Sequence, residues 1–103
     1  MRTFETLGSM GATYTITTSD TATALAALVL ATAEGRTLTA ATFAFETANI
    51  RIAVDATPTQ AGLGVLMYPG DVMRLVGREN LNGFKHISAG AGVHGKIQVM
   101  PEY

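Results

Sequence analysis

Apolar and polar residues alternate with a period of two along several short stretches of the chain. In NIRIAVD at positions 49–55, Ile50, Ile52 and Val54 share one side, while Arg51 and Asp55 share the other. This alternation predicts a half-buried β-strand, because successive side chains of a strand point to opposite faces. The ATPT that follows carries a proline, so we expect the chain to leave the sheet there.

Six further stretches carry strand signals, which brings the total to about seven strands at intervals of roughly 8–12 residues. They cover residues 13–18, 41–47, 65–68, 71–77, 84–89 and 96–103. In the last stretch, Ile97 and Val99 are expected to point inward, and Lys96, Gln98 and Glu102 outward. The residues predicted to form the core are Phe43, Phe45, Ile50, Ile52, Val54, Ile97 and Val99.

Short polar or glycine-rich segments separate these strands. Thr47–Ala48–Asn49 is short enough to form a hairpin turn between its two flanking strands. Pro69–Gly70 has proline and glycine at the positions that a type II turn favours. RENLNG at 78–83 is predicted to be a loop in which Asn82–Gly83 supplies positive φ.

One segment has a helical period instead. Leu25, Leu28 and Val29 follow one another at the i, i+3, i+4 spacing, after a possible cap at Ser19 or Asp20, and Gly35 follows as a stop. A helix over roughly 22–33 is our interpretation, with a buried strand at 28–32 as the alternative. The chain is thus expected to be all-β, an antiparallel β-sandwich or small jelly roll with one short helix. Residues 1–12 are interpreted as an N-terminal arm and residues 13–103 as the sandwich domain.

The composition constrains the class of function. The chain has 103 residues, enough for one domain, and only 15% of them are charged, against about 25% in ordinary soluble domains. So low a charge predicts that part of the surface is covered by neighbouring molecules. The alternative is that Ala, Gly and Thr simply cover a compact surface. A net charge of −1 without a basic stripe argues against nucleic-acid binding.

Neither a membrane span nor catalysis is expected. The longest stretch of low polarity, 22–33, is too short to cross a bilayer, and no signal peptide is expected at the start. With no cysteine, and with His86 and His94 as the two histidines, the sequence predicts no metal site and no cofactor. Both histidines are expected at a surface or interface. The acidic residues are scattered singly, and Asp55 and Asp71 are interpreted as turn residues, so we expect no catalytic residues.

The order of these features resembles a loose group of small phage virion proteins encoded among head and tail genes. The resemblance spans roughly residues 20–103 and is a structural skeleton without catalytic residues. The arm matches nothing in it, and Ala56 stands where such proteins more often have glycine. The matching residues are Ile50, Arg51, Asp55, Pro58, Thr59, Gly64, Gly70, Asp71, Phe84, Ile87 and Tyr103.

This resemblance implies a capsid decoration (cement) protein that stabilises the head shell as a homotrimer, with the major capsid protein as its partner. Its location would be the capsid surface of the virion, after synthesis in the host cytoplasm. The alternative is a tail or fibre component that acts as a receptor- or carbohydrate-binding module.

Two groups of residues are expected to make the partner contacts. Phe4, Leu7 and Met10 are apolar residues spaced three apart in the arm, which suits a segment that orders when it docks on a neighbour's sheet edge. Polar residues of the 78–83 segment, Arg78, Asn80 and Asn82, make up the second group.

Overall fold

The computed structural model describes residues 13–25 and 38–103, which form two antiparallel sheets of four strands each. Sheet A has the strand order β1-β8-β3-β6, and sheet B has the order β2-β7-β4-β5. This architecture confirms the predicted all-β sandwich. The elements are β1 Tyr14–Thr17, β2 Thr23–Ala24, β3 Ala40–Glu46, β4 Ile50–Val54, β5 Val65–Met67, β6 Val72–Val76, α1 Arg78–Gly83, β7 Phe84–Ser88 and β8 Lys96–Glu102.

The core lies between the inner faces of the two sheets. Six of the seven predicted core residues are buried there, and Phe43 stacks on Phe84 across the sandwich with ring centroids 4.6 Å apart. Val54 is the exception, since 37% of its surface is exposed. It is the last residue of β4, and Asp55 with φ 57 turns the chain away immediately after it. The alternation predicted the correct face for Val54, but the end of the strand extends beyond the core.

The predicted hairpin at Thr47–Ala48–Asn49 is wrong. β3 pairs with β6 and β8 in sheet A, whereas β4 pairs with β5 and β7 in sheet B. Thr47 adopts φ 77, and the Ala48 amide donates to the Glu46 carbonyl, so the chain crosses from one sheet to the other. A short connection between two alternating strands does not say whether they share a sheet.

The helix expectations are also corrected. Thr23–Ala24, inside the predicted helix, form strand β2 and pair with His86 and Lys85 of β7, and residues 26–37 lie outside the described part of the chain. Conversely, the predicted loop at 78–83 is the helix α1, whose Leu81 is buried in the core. The positive φ is at Gly77, not at Asn82 or Gly83. The burial of Leu81 explains why a polar, glycine-ending segment forms a helical turn.

The loop between β4 and β5 lies over the outer face of sheet B. Arg51 donates from Nη1 to the carbonyls of Gly62 and Gly64, and the Lys85 ammonium reaches the Thr57 hydroxyl at 3.4 Å. Both side chains leave the outer face of the sheet, so these contacts hold the loop against it. The loop therefore covers part of that face.

Gly64 is required for this covering. Its φ is +118°, and a Cβ there would lie 2.7 Å from the Ile52 carbonyl oxygen and 2.8 Å from Arg51 Cγ. Because the contact on one side is backbone, the clash could not be relieved by a side-chain rotation. The loop can approach β4 this closely only with glycine at position 64.

Candidate partner-binding surface

Exposed apolar side chains gather on one side of the sandwich. Among the described residues, seven large hydrophobic side chains are exposed, and five of them lie on or beside β5 and β6. β5 and β6 are each the last strand at one edge of their sheet, and they follow one another in the chain. We call this surface the β5–β6 side and define it by Leu63, Val65, Tyr68, Val72 and Val76.

A tight turn joins the two edges. The Asp71 amide donates to the Tyr68 carbonyl at 3.0 Å, and Gly70 has φ 98, which confirms the predicted type II turn at Pro69–Gly70. Asp71 also accepts from the Tyr68 amide at 2.8 Å, as expected of a turn aspartate. The turn leaves the Tyr68 ring exposed, and the exposed Val72 follows the turn as the first residue of β6. It therefore makes one surface from the edges of two sheets.

The outer edge of β6 presents unpaired backbone groups. In an antiparallel ladder, alternate residues point their amide and carbonyl to the same neighbour. The Phe45 amide donates to Asp71 and the Gly77 amide donates to Thr39, so Met73 and Leu75 share that parity and face β3. The backbone groups of Val72, Arg74 and Val76 consequently point away from the sheet. Within the described residues, only the Val76 carbonyl has a partner there, the side-chain amide of Asn80 at 2.9 Å.

The central charge of β6 is paired with a buried carboxylate. Arg74 donates from Nε and Nη2 to the two oxygens of Glu102, each at 2.9 Å, and these hydrogen bonds raise the pKa of Arg74. Glu102 points outward from the core as its period predicts, but it is only 1% exposed. It lies on the outer face of sheet A beside Ala40, whose small side chain leaves room for Arg74 to reach it from β6. Arg74 remains charged, and its Nη1 makes no hydrogen bond within the described residues.

The residues predicted to contact a partner fall in two places. Phe4, Leu7 and Met10 lie outside the described residues. Arg78, Asn80 and Asn82 lie on α1, directly after β6, so the structure does place this polar group beside the end of the exposed edge.

A carbohydrate platform would need an exposed aromatic ring beside such polar groups. Tyr68 and α1 lie at opposite ends of β6, which is about 17 Å long at ~3.3 Å per residue. The geometry therefore separates the aromatic ring from the polar cluster, and it favours an extended contact along β6 over a compact sugar site.

His86 is not at a surface, contrary to expectation. It lies on the inner face of β7 opposite Ile52 and is 2% exposed, and its Nδ1 has no hydrogen-bond partner in the described part of the chain. Burial lowers the pKa of His86 to about 4. The FKHIS strand alternates well enough to place His86 on the face of Phe84, which was the available signal for its burial. A buried, neutral imidazole of this kind serves the core and not a ligand.

His94 takes part in a chain of hydroxyl groups. Its Nδ1 lies 2.9 Å from Ser88 Oγ, which lies 2.7 Å from Thr18 Oγ1, and Thr18 Oγ1 in turn accepts from the Gly95 amide. Ser88 and Thr18 are both buried. A nucleophilic serine must reach its substrate, so this arrangement fixes the 89–95 loop to the sandwich and does not resemble a catalytic dyad.

Other kinds of site receive no support from the described residues. No three His, Cys, Asp or Glu side chains among them could hold a metal ion together, and none of their helices is long and apolar enough to cross a membrane. A shallow cleft of about 390 Å³ is lined by residues without an ionisable side chain: Ala48, Asn49, Ala89, Gly90 and Val93. The β5–β6 side is therefore the surface whose chemistry points most clearly to a function.

Comparison with known proteins adds no relative. No family model, no curated protein and no solved structure matches the chain significantly.

The exposed valines were the part of this surface that the sequence interpretation missed. VMRLV at 72–76 is apolar at four of five positions, on both faces of the strand. A strand that is apolar on both faces needs cover on both faces, and this was the signal available in the sequence.

Proposed function

We propose that this protein is a structural module that associates with copies of itself through the β5–β6 side and attaches to a larger shell, as a phage capsid decoration protein does. The observation that carries the proposal is the concentration of exposed apolar side chains on one side of a sparsely charged chain. Val65 is 62% exposed and Val76 is 52% exposed, at the unpaired edges of two sheets. Such a patch typically marks a protein–protein contact.

A closed ring of copies would bury this surface between neighbouring copies. A contact between two different surfaces of the chain generates a ring when the rotation between neighbours closes, and a trimer is the smallest such ring beyond a dimer. Each copy then presents the same outer residues to the shell. Because the copies are linked, individually weak contacts to the major capsid protein add through effective concentration. This is how a chain of 103 residues could hold a capsid lattice.

Binding to empty phage heads tests the proposal. The wild-type protein is incubated with undecorated heads of the phage that encodes it, and the bound fraction is measured by pelleting. We expect the double variant V72K/V76K to lose most binding, because lysines on an exposed edge prevent strand pairing. The control is T15K/T17K, which places the same charges on exposed residues of β1, the other edge of sheet A.

Three results are informative. Retained binding of the control together with loss in V72K/V76K supports the proposal. Equal binding of both variants moves the attachment away from the β5–β6 side. Failure of the wild-type protein to bind heads at tens of micromolar, a concentration well above any useful dissociation constant (roughly), contradicts the capsid function.

A further inference from the structure

We infer that residues 3–7 of a neighbouring copy pair with the outer edge of β6 as a fifth strand of sheet A, antiparallel to β6, with Glu5 opposite Arg74. This inference rests on the proposed self-association and identifies its contact. The segment is TFETL, from the part of the chain that precedes β1.

The accepting edge is ready for a strand. Among the residues that the structure describes, nothing pairs with the outward amide and carbonyl of Val72 and of Arg74, or with the amide of Val76. Proteins usually protect such an edge with lysine, proline or a bulge. β6 reads VMRLV and is paired to β3 residue for residue without a bulge. Its single charge, Arg74, is already engaged by Glu102. An added strand is therefore not repelled, and it satisfies backbone groups that otherwise depend on water.

Charge and side-chain character select the register. With Glu5 opposite Arg74, antiparallel pairing sets Leu7 opposite Val72 and Thr3 opposite Val76. Arg74 Nη1 makes no hydrogen bond within the described residues, so it is the guanidinium donor left for the Glu5 carboxylate. A second β6 strand in the same place would instead put Arg74 opposite its own copy, with no carboxylate for the Nη1 of either arginine. The other edge of sheet A, β1, has no charged residue to select Glu5.

The inward-facing side chains of the added strand would lie beside apolar residues of β6. In this register, Phe4 is on the side of Leu75, and Thr6 is on the side of Met73. Leu75 and Met73 are partly buried and pack against the core cluster at the open end of the sandwich. Phe4 would extend that cluster, which gives a reason for a phenylalanine in a terminal arm.

The length of the chain requires that the strand come from a neighbour. A strand antiparallel to β6 is parallel to β1, because the pairs β6–β3, β3–β8 and β8–β1 are all antiparallel. It would lie four strand spacings from β1, about 19 Å at ~4.8 Å per step. Only residues 8–13 separate Leu7 from Tyr14, and they reach about 24 Å when fully straight. A connection between parallel strands must also pass over the face of the sheet, which makes its path longer than the straight-line separation, and it normally takes a dozen or more residues. Six residues are therefore too few for the arm to return to its own β6.

The contact is heterologous, since the arm of one copy meets the β6 edge of the next. A heterologous contact that closes produces a cyclic oligomer, so the arm exchange is compatible with the proposed trimer.

Disulfide trapping tests the inference, and the chain suits it because it contains no cysteine. A full-length copy carrying Leu7→Cys and a mass tag is mixed with an untagged copy carrying Val72→Cys, allowed to exchange under reducing conditions, and then oxidised. Val72 directs its backbone groups outward, so Leu7 and Val72 would form a hydrogen-bonded pair with Cα atoms about 5.5 Å apart. That separation is within the range of a disulfide. The control replaces Val72→Cys by Val76→Cys, about 13 Å out of register.

We expect the tagged heterodimer to form at least about tenfold faster with Val72→Cys than with Val76→Cys, because pairing holds the two thiols at millimolar effective concentration. Equal rates for the two positions would overturn the register. Rapid linkage of Val72→Cys to Val76→Cys between two copies would show that β6 pairs with β6 and would overturn the inference. If the wild-type protein sediments as an oligomer but neither arm cross-link forms, only this inference fails. If the wild-type protein is a monomer, the proposed self-association fails first.

Discussion

The buried imidazole of His86 should make the protein sensitive to mild acid. In the folded state the pKa of His86 is about 4, whereas in the unfolded chain it should be near 6.5. Between these values the unfolded chain binds a proton that the folded protein does not. The free energy of unfolding therefore falls as the pH drops from about 6.5 to about 4, and the loss is complete below the folded pKa.

The magnitude follows from the difference of the two pKa values. Each pKa unit corresponds to about 1.4 kcal/mol, so the full loss is about 3.5 kcal/mol, of which about 3 kcal/mol is lost at pH 4 and about 2 kcal/mol at pH 5. For a domain of this size, about 2 kcal/mol lowers the melting temperature by roughly 10 °C. Because Nδ1 has no partner and the ring packs near Phe84, His86→Phe should remove the acid sensitivity without breaking a hydrogen bond.

Urea denaturation followed by circular dichroism between pH 4 and pH 8 measures the effect. The difference between the wild-type and His86→Phe curves isolates His86, because carboxylates titrate equally in both proteins. His94→Asn is the matched control substitution at the other histidine. A difference curve that is flat between pH 6.5 and pH 4 would mean that His86 is hydrated or partnered in the folded state, and the account of its burial would be wrong.

Three further predictions concern the fold and the arm. Ile52→Ala should lower the free energy of unfolding by about 2–5 kcal/mol, while Val54→Ala, at the exposed end of β4, should change it by no more than about 0.5 kcal/mol, both measured by urea denaturation. Gly64→Ala should lower the free energy of unfolding by at least about 2 kcal/mol more than Gly70→Ala does, because both glycines have positive φ but only a Cβ at position 64 would also meet backbone within 3 Å. Equal losses for the two variants would mean that the loop can move away from β4. Deletion of residues 1–12 should leave the melting temperature nearly unchanged and sharply reduce binding to empty heads; unfolding of the truncated protein would place the arm within the fold.

The class of fold and most of the core could be predicted because alternation reports directly on which side of a strand is buried. Phe43, Phe45, Ile50, Ile52, Ile97 and Val99 are all buried as their period predicts. Which strands share a sheet could not be predicted. The three residues after β3 and the four-residue turn after β5 both cross between sheets, and neither turn differs in composition from a hairpin within one sheet.

The surface was harder to predict because it depends on neighbours that are distant in sequence. Glu102 and Arg74 are 28 residues apart in the chain. They meet because the strand order places β6 and β8 on either side of β3. Arg51 has the polar period of a solvent-facing residue, yet it holds the loop that covers sheet B. An exposed position in the alternation means only that the side chain points away from the core. What lies on that side is decided by loops and strand order.

Sedimentation velocity of the intact wild-type protein tests the central claim, that the β5–β6 side joins copies of this chain. One copy has a mass of 10.8 kDa, so a trimer should sediment near three times that mass, about 32 kDa. We expect a trimer at tens of micromolar (roughly, above the dissociation constants of specific assemblies), dissociation of V72K/V76K to monomers, and a trimer for T15K/T17K. A wild-type protein that sediments as a single 10.8 kDa species at that concentration would contradict it.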